Sequence, residues 1–242
     1  MKAGAPLSRI RVVLSRPSHP GNIGAAARAM KTMGLARLYL VLPKKYPDPQ
    51  ARAMAAGAAD VLESARVCAN LGEALEGSTF SVALSARGRE LSHPPLDARA
   101  AARELVRAAR RDEVALIFGN ETVGLSNKEV MQCSCVARIP GGPKYASLNL
   151  AQAVQVMVYE VRMATLDSIA AAPRTEYATH EEIESFYAHL ERSLYTSGFL
   201  HPRTPRKLME RLRRLFARAR LEKVELNILR GMLAAWDRSP RK

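Results

Sequence analysis

The sequence predicts an α/β protein with a parallel sheet covered by helices on both faces, followed by a small all-α extension. Short apolar runs alternate with helical patterns as far as residue 164, which is typical of successive βαβ units. After residue 180 the patterns are helical only. With 242 residues, 48% of them hydrophobic, the chain is long enough to bury a large core.

A strand, a helix and a second strand open the chain. The apolar run at 10–14 predicts the first strand, and the run at 38–42 predicts the second. Between them lies an Ala-rich helical pattern at 23–33, with Asn22 in the position of an N-cap and Gly34 at its end. This order predicts two parallel strands joined by a right-handed crossover.

The same alternation continues through the domain. The predicted elements are, in order, a helix at 49–57, a short strand near Val61, a helix at 71–75, a strand at 80–84, a helix at 97–110, a strand at 114–118, a helix at 127–132 capped by Ser126, a strand at 136–139 and a long helix at 148–164. Residues 166–180 lack periodicity and predict a linker. The expected division is a domain at 1–165, that linker, and a basic extension at 181–242. Helices are predicted within the extension at 181–194 and 205–236.

The formal charge of the chain is +14, and its basic residues are concentrated at the two ends. Residues 201–242 contain 13 Lys and Arg against 4 Asp and Glu, and residues 1–60 contain 10 against 2. Because phosphates release counterions when basic side chains neutralise them, this distribution favours a nucleic-acid partner. The alternative is that the basic segments are only solvated helix faces.

Several classes of protein are disfavoured. No apolar run reaches 18 residues, and Arg9 and Arg11 interrupt the first one, so that no membrane span or secretory signal is expected and the protein is predicted to be cytoplasmic. The three cysteines include Cys133 and Cys135, but no second Cys or His pair follows at zinc-ligand spacing, and the five histidines are scattered. We therefore expect reduced thiols and no metal.

Three loops rich in Gly, Asn and Ser, at 21–24, 118–121 and 145–149, adjoin predicted strands or helices. In α/β domains such loops meet at the carboxyl edge of the sheet, where ligands bind. The glycine spacing matches neither a phosphate-binding Walker loop nor a dinucleotide fingerprint, which disfavours kinases, ATPases and dehydrogenases. The loops therefore predict a different kind of ligand site.

The polar residues near these loops each have two interpretations. Arg28 lies six residues after Asn22 and either contacts a ligand or is a solvated rim residue. Glu121 either accepts from a ligand or caps a turn, and Ser147 either orients a ligand or is the N-cap of the helix that follows it. Spacing alone leaves both interpretations open.

The loops and their surroundings resemble, in order, the three motifs of the SPOUT methyltransferases of the TrmH-like branch. The matching segments are Gly21-Asn22-Ile23-Gly24 with Ala27-Arg28-Ala29-Met30-Lys31, then Ile117-Phe118-Gly119-Asn120-Glu121 with Gly124-Leu125, then Ile139-Pro140 with Ser147-Leu148-Asn149-Leu150-Ala151. The segments 186–191, 212–216 and 225–231 resemble the C-terminal region of tRNA ribose methyltransferases of this branch. The resemblance covers nearly the whole chain.

This resemblance implies a fold, a reaction and an assembly. Proteins of this kind bind S-adenosyl-L-methionine in a deep trefoil knot formed by the C-terminal part of the α/β domain, and they are homodimers. They methylate the ribose 2'-OH of nucleotide 32, a cytidine or uridine, in the tRNA anticodon loop. For this chain the resemblance implies that the basic extension grips tRNA and that two subunits share each active site.

The resemblance also implies individual site residues. Arg28 would be the catalytic arginine, reaching across the dimer interface to clamp a phosphate and stabilise the developing alkoxide. Asn22, Ser147 and Asn149 would orient the 2'-hydroxyl, with Glu121 beside them as a further catalytic residue. The implied cofactor pocket consists of Leu84, Ser85, Ala86, Gly119, Asn120, Glu121, Ile139, Ala146, Ser147 and Leu148.

Two positions depart from the family pattern, because Asn120 stands where relatives carry Arg and Leu84 stands where they carry Thr. Two alternatives to a tRNA methyltransferase remain. An enzyme with the same chemistry on ribosomal RNA is disfavoured by the C-terminal resemblance. A non-catalytic RNA-binding protein of the same fold is disfavoured by the joint presence of the implied catalytic residues.

Overall fold

Seven strands form a single sheet in the computed structural model, which describes residues 6–85, 95–142, 146–166, 175–201 and 207–238. The strands are β1 (Ile10–Ser15), β2 (Arg37–Val41), β3 (Arg66–Cys68), β4 (Ser78–Leu84), β5 (Leu96–Asp97), β6 (Glu113–Phe118) and β7 (Cys135–Arg138). Their order across the sheet is β3-β2-β1-β6-β4-β7-β5, and every neighbouring pair is parallel. The predicted parallel α/β sheet is confirmed.

Ten α-helices accompany the sheet within the described residues. They are α1 (Pro20–Thr32), α2 (Pro49–Ala55), α3 (Ala59–Glu63), α4 (Leu71–Leu75), α5 (Ala98–Ala109), α6 (Asn127–Met131), α7 (Leu150–Leu166), α8 (His180–Thr196), α9 (Leu208–Ala219) and α10 (Lys223–Arg238). Short 3-10 turns lie at Leu7–Arg9 and Ala56–Ala58. None of these helices is both long and apolar enough to cross a membrane.

Buried side chains alternate between the two faces of the sheet. In β1, Val12 and Leu14 join a core that also contains residues of α1, α5 and α7. Val13, between them, joins a second core that contains residues of α4 and α6. This period of two is the side-chain geometry of a strand buried on both sides. Helices therefore cover both faces, as the sequence predicts.

One predicted strand is wrong. Val61 lies in α3, and the strand follows it at Arg66–Cys68 as β3. Val61 and its neighbour Leu62 are both buried in the same core, whereas successive side chains of a strand point to opposite faces. The structure also adds the two-residue strand β5, which pairs with β7 at the edge of the sheet and which the sequence does not predict.

Two helix boundaries also differ from the prediction. Asn22 is not an N-cap, because α1 begins at Pro20 with His19 in the N-cap position. Proline suits the first turn because it has a fixed φ and lacks the N–H that would be unpaired there. The single pattern predicted at 205–236 is two helices, since Arg220 adopts a left-handed conformation with a φ of 49° and ends α9.

The helices after residue 179 have a hydrophobic core of their own. Phe186 of α8 packs edge-on against Phe216 of α9, with ring centroids 5.1 Å apart, and Leu226 and Leu233 of α10 join the same cluster. A capping box at Thr179 begins α8. This helical region also contacts the rest of the protein. The backbone N–H of Gly77, just before β4, donates to the carboxylate of Glu181 in α8 at 2.7 Å.

Close packing of α1 and α2 fixes the helix that follows β1. A Cβ at Gly24 would lie 2.0 Å from the backbone oxygen of Ala51, so that only glycine permits this approach. Because β1 pairs with β6, the carboxyl end of β1 and the first turn of α1 lie beside the carboxyl end of β6. The loops that resemble the family motifs are brought to one edge of the sheet.

Candidate active site

A pocket lies at the carboxyl ends of β4, β6 and β7. Its empty space, including the open mouth, is about 840 Å³. The lining residues are Leu84, Ser85, Phe118, Gly119, Asn120, Glu121, Thr122, Val123, Gly124, Leu125, Ile139, Ala146, Ser147, Leu148, Leu150 and Ala153. The position is the one where open α/β sheets bind ligands.

This pocket contains all but one of the cofactor residues that the resemblance implies. Leu84 and Ser85 come from the end of β4, Ile139 follows β7, and the remaining residues belong to the loops after β6 and before α7. Ala86 lies outside the described residues. The structure therefore brings together segments that are separated by more than 60 residues of sequence.

Gly119 lets the chain turn tightly in the wall of the pocket. A Cβ there would lie 2.2 Å from the backbone nitrogen of Leu125 and 2.3 Å from the carbonyl carbon of Gly124. Both contacts are with backbone, so no change of rotamer would relieve them. Gly119 thus allows the segment 119–125 to fold back on itself along one wall of the pocket.

Glu121 is held by donors of the loop between β1 and α1. One carboxylate oxygen accepts from the backbone N–H of Ser18 at 2.9 Å and from its hydroxyl at 2.7 Å. The other accepts from the backbone N–H of His19 at 3.2 Å and from Nδ2 of Asn22 at 3.0 Å. These four donors match the four lone-pair sites of a carboxylate, and Nδ2 of Asn120 makes a longer contact of 3.5 Å with the oxygen that Ser18 binds. Glu121 is therefore satisfied by the protein itself.

These contacts also set the charge of Glu121. Partial burial alone raises the pKa of a carboxyl, but the hydrogen bonds from Ser18 and Asn22 outweigh it and lower the pKa from 4.5 to about 2. The side chain is thus a carboxylate at neutral pH. The sequence did not lead to Ser18 and His19 as members of this cluster, although their place in the loop that follows β1 at the ligand edge was an available signal.

Asn22 and Asn149 connect the same cluster to α7. Nδ2 of Asn149 donates to Oδ1 of Asn22 at 3.0 Å, and Oδ1 of Asn149 accepts from the backbone N–H of Ala151 at 2.8 Å. Asn149, and not Ser147, therefore caps the start of α7. Ser147 lines the pocket instead. A continuous chain of hydrogen bonds joins α7, α1 and the loop after β6.

Asn120 stabilises the turn that shapes the pocket wall. Its Oδ1 accepts from the backbone N–H groups of Thr122 and Val123, at 2.9 and 3.2 Å. Its Nδ2 donates to the backbone oxygen of Arg16 at 2.8 Å. The residue that departs from the family pattern thus makes local contacts that hold the loop, as Asn side chains commonly do in turns.

Arg28 lies apart from this cluster within one chain. Its side chain is exposed, and no described residue forms a hydrogen bond or ion pair with its guanidinium. Six residues after Asn22, it is about 9 Å farther along α1 and rotated by roughly 240° about the helix axis. The structure therefore does not bring Arg28 to Glu121, Asn149 and the pocket of the same subunit.

The described residues contain no group of three or more His, Cys, Asp or Glu side chains that could hold a metal ion. The three cysteines, Cys68, Cys133 and Cys135, form no disulfide. Burial raises the pKa of the thiol of Cys135 to about 12, so that this thiol is protonated at neutral pH.

The carboxylate of Glu121 should make stability depend on pH. Because its folded pKa is below its unfolded pKa, its contribution is present above about pH 4.5 and is lost as the pH falls towards 2. The difference in unfolding free energy between the wild type and Glu121→Gln should therefore shrink by about 1 kcal/mol over that range, after allowance for solvent screening. Urea unfolding at several pH values measures it. A difference that stays constant with pH would contradict the assigned contacts.

Comparison with known proteins identifies the family. A family model described as "SpoU rRNA Methylase family" matches residues 9–159. A second, described as "tRNA methyltransferase TrmJ, C-terminal domain", matches residues 181–242. Together the two matches include all three motif loops and the helices α8 to α10.

Individual relatives agree over nearly the full length. The chain is 48% identical to "tRNA (cytidine/uridine/adenosine-2'-O-)-methyltransferase TrmJ" of Pseudomonas aeruginosa, over 97% of this chain and 96% of that protein. It is 50% identical to "tRNA (cytidine/uridine-2'-O-)-methyltransferase TrmJ" of Cronobacter sakazakii, over 96% of this chain and 98% of that protein. The crystal structure of TrmJ from Z. mobilis ZM4 superposes with a TM-score of 0.82 at 32% identity, covering 94% of this chain and 99% of that chain. The chain therefore belongs to the SpoU methylase family and, within it, to the TrmJ methyltransferases.

Proposed function

We propose that the protein transfers the methyl group of S-adenosyl-L-methionine to the ribose 2'-OH of nucleotide 32, a cytidine or uridine, in the anticodon loop of tRNA. The observation that carries the proposal is the pocket at the carboxyl edge of the sheet, formed by the same loops that resemble the family motifs. Full-length relatives named as tRNA 2'-O-methyltransferases support the substrate class.

The side chains that line the pocket suit S-adenosyl-L-methionine chemically. Leu84, Ile139 and Leu148 offer apolar contacts to a flat ring, and Ser85 and Ser147 offer hydroxyls next to backbone groups. A Cβ at Gly119 would intrude on the loop that forms this wall. When bound, the cofactor supplies an electrophilic methyl group. The residues of the chain hold it and exclude water from it.

In this proposal Glu121 positions other residues and does not remove the proton of the 2'-OH. Its four acceptor sites are filled by Ser18, His19 and Asn22, and its pKa of about 2 makes it a weak base. Asn22 and Asn149 are fixed by the same hydrogen bonds and are therefore preorganised beside the pocket. Ser147, which lines the pocket, is left to contact the hydroxyl.

Arg28 is proposed to act in the pocket of the partner subunit. Its exposed guanidinium, without a partner among the described residues, suits a residue whose contacts lie on another molecule. A guanidinium remains protonated, so its role is to bind a phosphate and stabilise negative charge on the ribose oxygen. This role requires a homodimer in which each active site is completed by the other chain.

The proposal assigns distinct roles to the two parts of the chain. Residues 1–165 would form the methyltransferase domain, with a trefoil knot in its C-terminal part as in other SPOUT enzymes. Residues 166–180 would be the linker, and the basic residues 181–242 would bind the body of the tRNA. The proposed setting is the cytoplasm, where tRNA is modified, and no metal is required.

The test is a methyl-transfer assay with labelled S-adenosyl-L-methionine and an unmodified tRNA transcript, followed by mapping of the labelled nucleotide. We expect one methyl group at nucleotide 32 and none on a transcript that carries a 2'-deoxy nucleotide there. Label retained on the deoxy transcript would contradict ribose methylation at that position. Transfer to ribosomal RNA but not to tRNA would support the alternative substrate instead.

A further inference from the structure

A second cavity lies where the helices after residue 179 meet the sheet. It contains Ser78 and Thr79 at the start of β4, Ser134 after α6, and Tyr187 and Arg220 from the helical region. The candidate active site lies at the other end of β4, about 20 Å away along the seven-residue strand. The two pockets share no lining residue.

Arg220 is the charged residue of this cavity, and it is held firmly. Its guanidinium lies between two rings, 4.5 Å from the centroid of Phe80 and 3.9 Å from that of Tyr177. Its Nε and Nη2 atoms are buried and have no hydrogen-bond partner among the described residues. Burial lowers the pKa of Arg220, although a guanidinium stays charged at neutral pH.

No carboxylate in the described part of the chain forms an ion pair with Arg220. Glu184 lines the same cavity, but both of its oxygens accept from Arg213, at 2.6 and 2.8 Å. Arg220 is therefore a half-buried cation with two nitrogens shielded from water, and the carboxylates of Glu104 and Asp112 act on its charge only through space, beyond ion-pair distance. A buried charge without a hydrogen-bonded partner is costly.

Two hydroxyl groups in the cavity lack partners as well. Ser78 is only 3% exposed, and its Oγ has no hydrogen-bond partner. Oγ1 of the adjacent Thr79 is also buried without a partner. A buried hydroxyl that is left unpaired destabilises the folded state. The four unpaired donor atoms belong to residues that all line this cavity, and two of the atoms are on a cation, which favours an acceptor with negative charge.

We propose that this cavity binds a small oxyanion of the phosphate or sulfate class, free in solution. Two adjacent nitrogens of a guanidinium match two oxygens of such an anion, and the hydroxyls of Ser78 and Thr79 donate to the others. Water would satisfy the hydrogen bonds but would bring no negative charge to the guanidinium. Since Arg220 belongs to the helical region and Ser78 to β4, the anion joins the two parts of the protein.

The first measurement is thermal unfolding of the full chain in phosphate and in chloride at equal ionic strength. Binding to the folded state alone should raise Tm by roughly 3 to 6 °C at ten times Kd, and the rise should saturate with concentration. Calorimetric titration with inorganic phosphate should then give one site per chain. Equal Tm values in the two salts, or a stoichiometry far from one, would overturn the proposal.

Variants locate the site. Arg220→Met keeps an unbranched side chain between the rings without charge, and should abolish the phosphate effect. Thr79→Val, which removes only the hydroxyl, should weaken phosphate binding about tenfold, because the lost hydrogen bond is to a charged group. The control is Arg218→Gln, which changes an exposed arginine in the last turn of α9, two residues before Arg220, and should bind phosphate as the wild type does.

The variants also separate the possible outcomes. If Arg220→Met fails to fold, the comparison of phosphate binding by Thr79→Val and by Arg218→Gln still decides whether the anion binds in the cavity. Unchanged phosphate binding in Thr79→Val, or equal losses in Thr79→Val and Arg218→Gln, would mean that the anion binds the basic surface. If tRNA displaced phosphate from both the wild type and Arg218→Gln, the site would receive the RNA backbone and not a free anion. None of these experiments measures methyl transfer.

Discussion

Arg28→Ala should lower kcat for tRNA methylation at least about 100-fold, the loss seen when one preorganised donor to a developing oxyanion is removed. The affinity for S-adenosyl-L-methionine should stay unchanged, because Arg28 does not line the pocket of its own chain. Single-turnover kinetics and calorimetry measure the two quantities. A loss of cofactor affinity as large as the loss of rate would mean that Arg28 has a different role.

The matched control for this change is Arg52→Ala. Arg52 is also an arginine on a helix surface, 72% exposed, and it makes one surface ion pair with Glu63 at 3.0 Å. Such pairs contribute little to stability. The control should therefore retain wild-type rate and Tm, which would exclude a general effect of removing a positive charge.

Gly119→Ala should abolish cofactor binding. The added methyl group would overlap the backbone of Gly124 and Leu125, which forces the loop of the pocket to move. We expect a rise in Kd for S-adenosyl-L-methionine of more than about 100-fold, together with a loss of about 1–3 kcal/mol in unfolding free energy. Calorimetry with the cofactor and urea unfolding test both effects.

Gly57→Ala is the control for Gly119→Ala. A Cβ at Gly57 would meet no atom within 4 Å, so this variant should bind the cofactor normally and unfold at the wild-type urea concentration. Normal cofactor affinity in Gly119→Ala would show that the loop tolerates the added methyl group and that the pocket is not where the cofactor binds.

The same two variants test whether subunits share the active site. In a co-expressed mixture of Arg28→Ala and Gly119→Ala chains, a mixed dimer has one site with both an intact pocket and an intact arginine. If the arginine comes from the partner, the mixture should recover about a quarter of the wild-type rate. A mixture as inactive as its components would place the arginine and pocket in the same chain.

The strands and the ligand edge were predictable because local signals agreed with the global fold. Apolar runs bounded by Pro, Gly and polar residues predicted β1, β2, β4 and β6 to within two residues. The exceptions have specific causes. Val61 sits in a short helix because tertiary packing buries it together with Leu62, and burial of this kind overrides a β-branched preference.

The polar contacts of the site were less predictable than its position. The sequence places Asn22 near a helix start, but it does not show that the amide spans Glu121 and Asn149, which are 99 and 127 residues away. Nor does it distinguish Ser147 from Asn149 as the cap of α7, since both residue types occur there. Such contacts depend on how three distant loops meet, and only the folded chain defines that.

The hydrogen bonds from Ala151 to Asn149, from Asn149 to Asn22 and from Asn22 to Glu121 all donate in one direction. Each amide is therefore polarised by the next, and none can rotate without breaking two bonds at once. A ligand that strengthens the hydrogen bond at one end of this series therefore also stabilises the hydrogen bond at the other end. By thermodynamic reciprocity, cofactor and RNA should each raise the affinity of the protein for the other by the same factor.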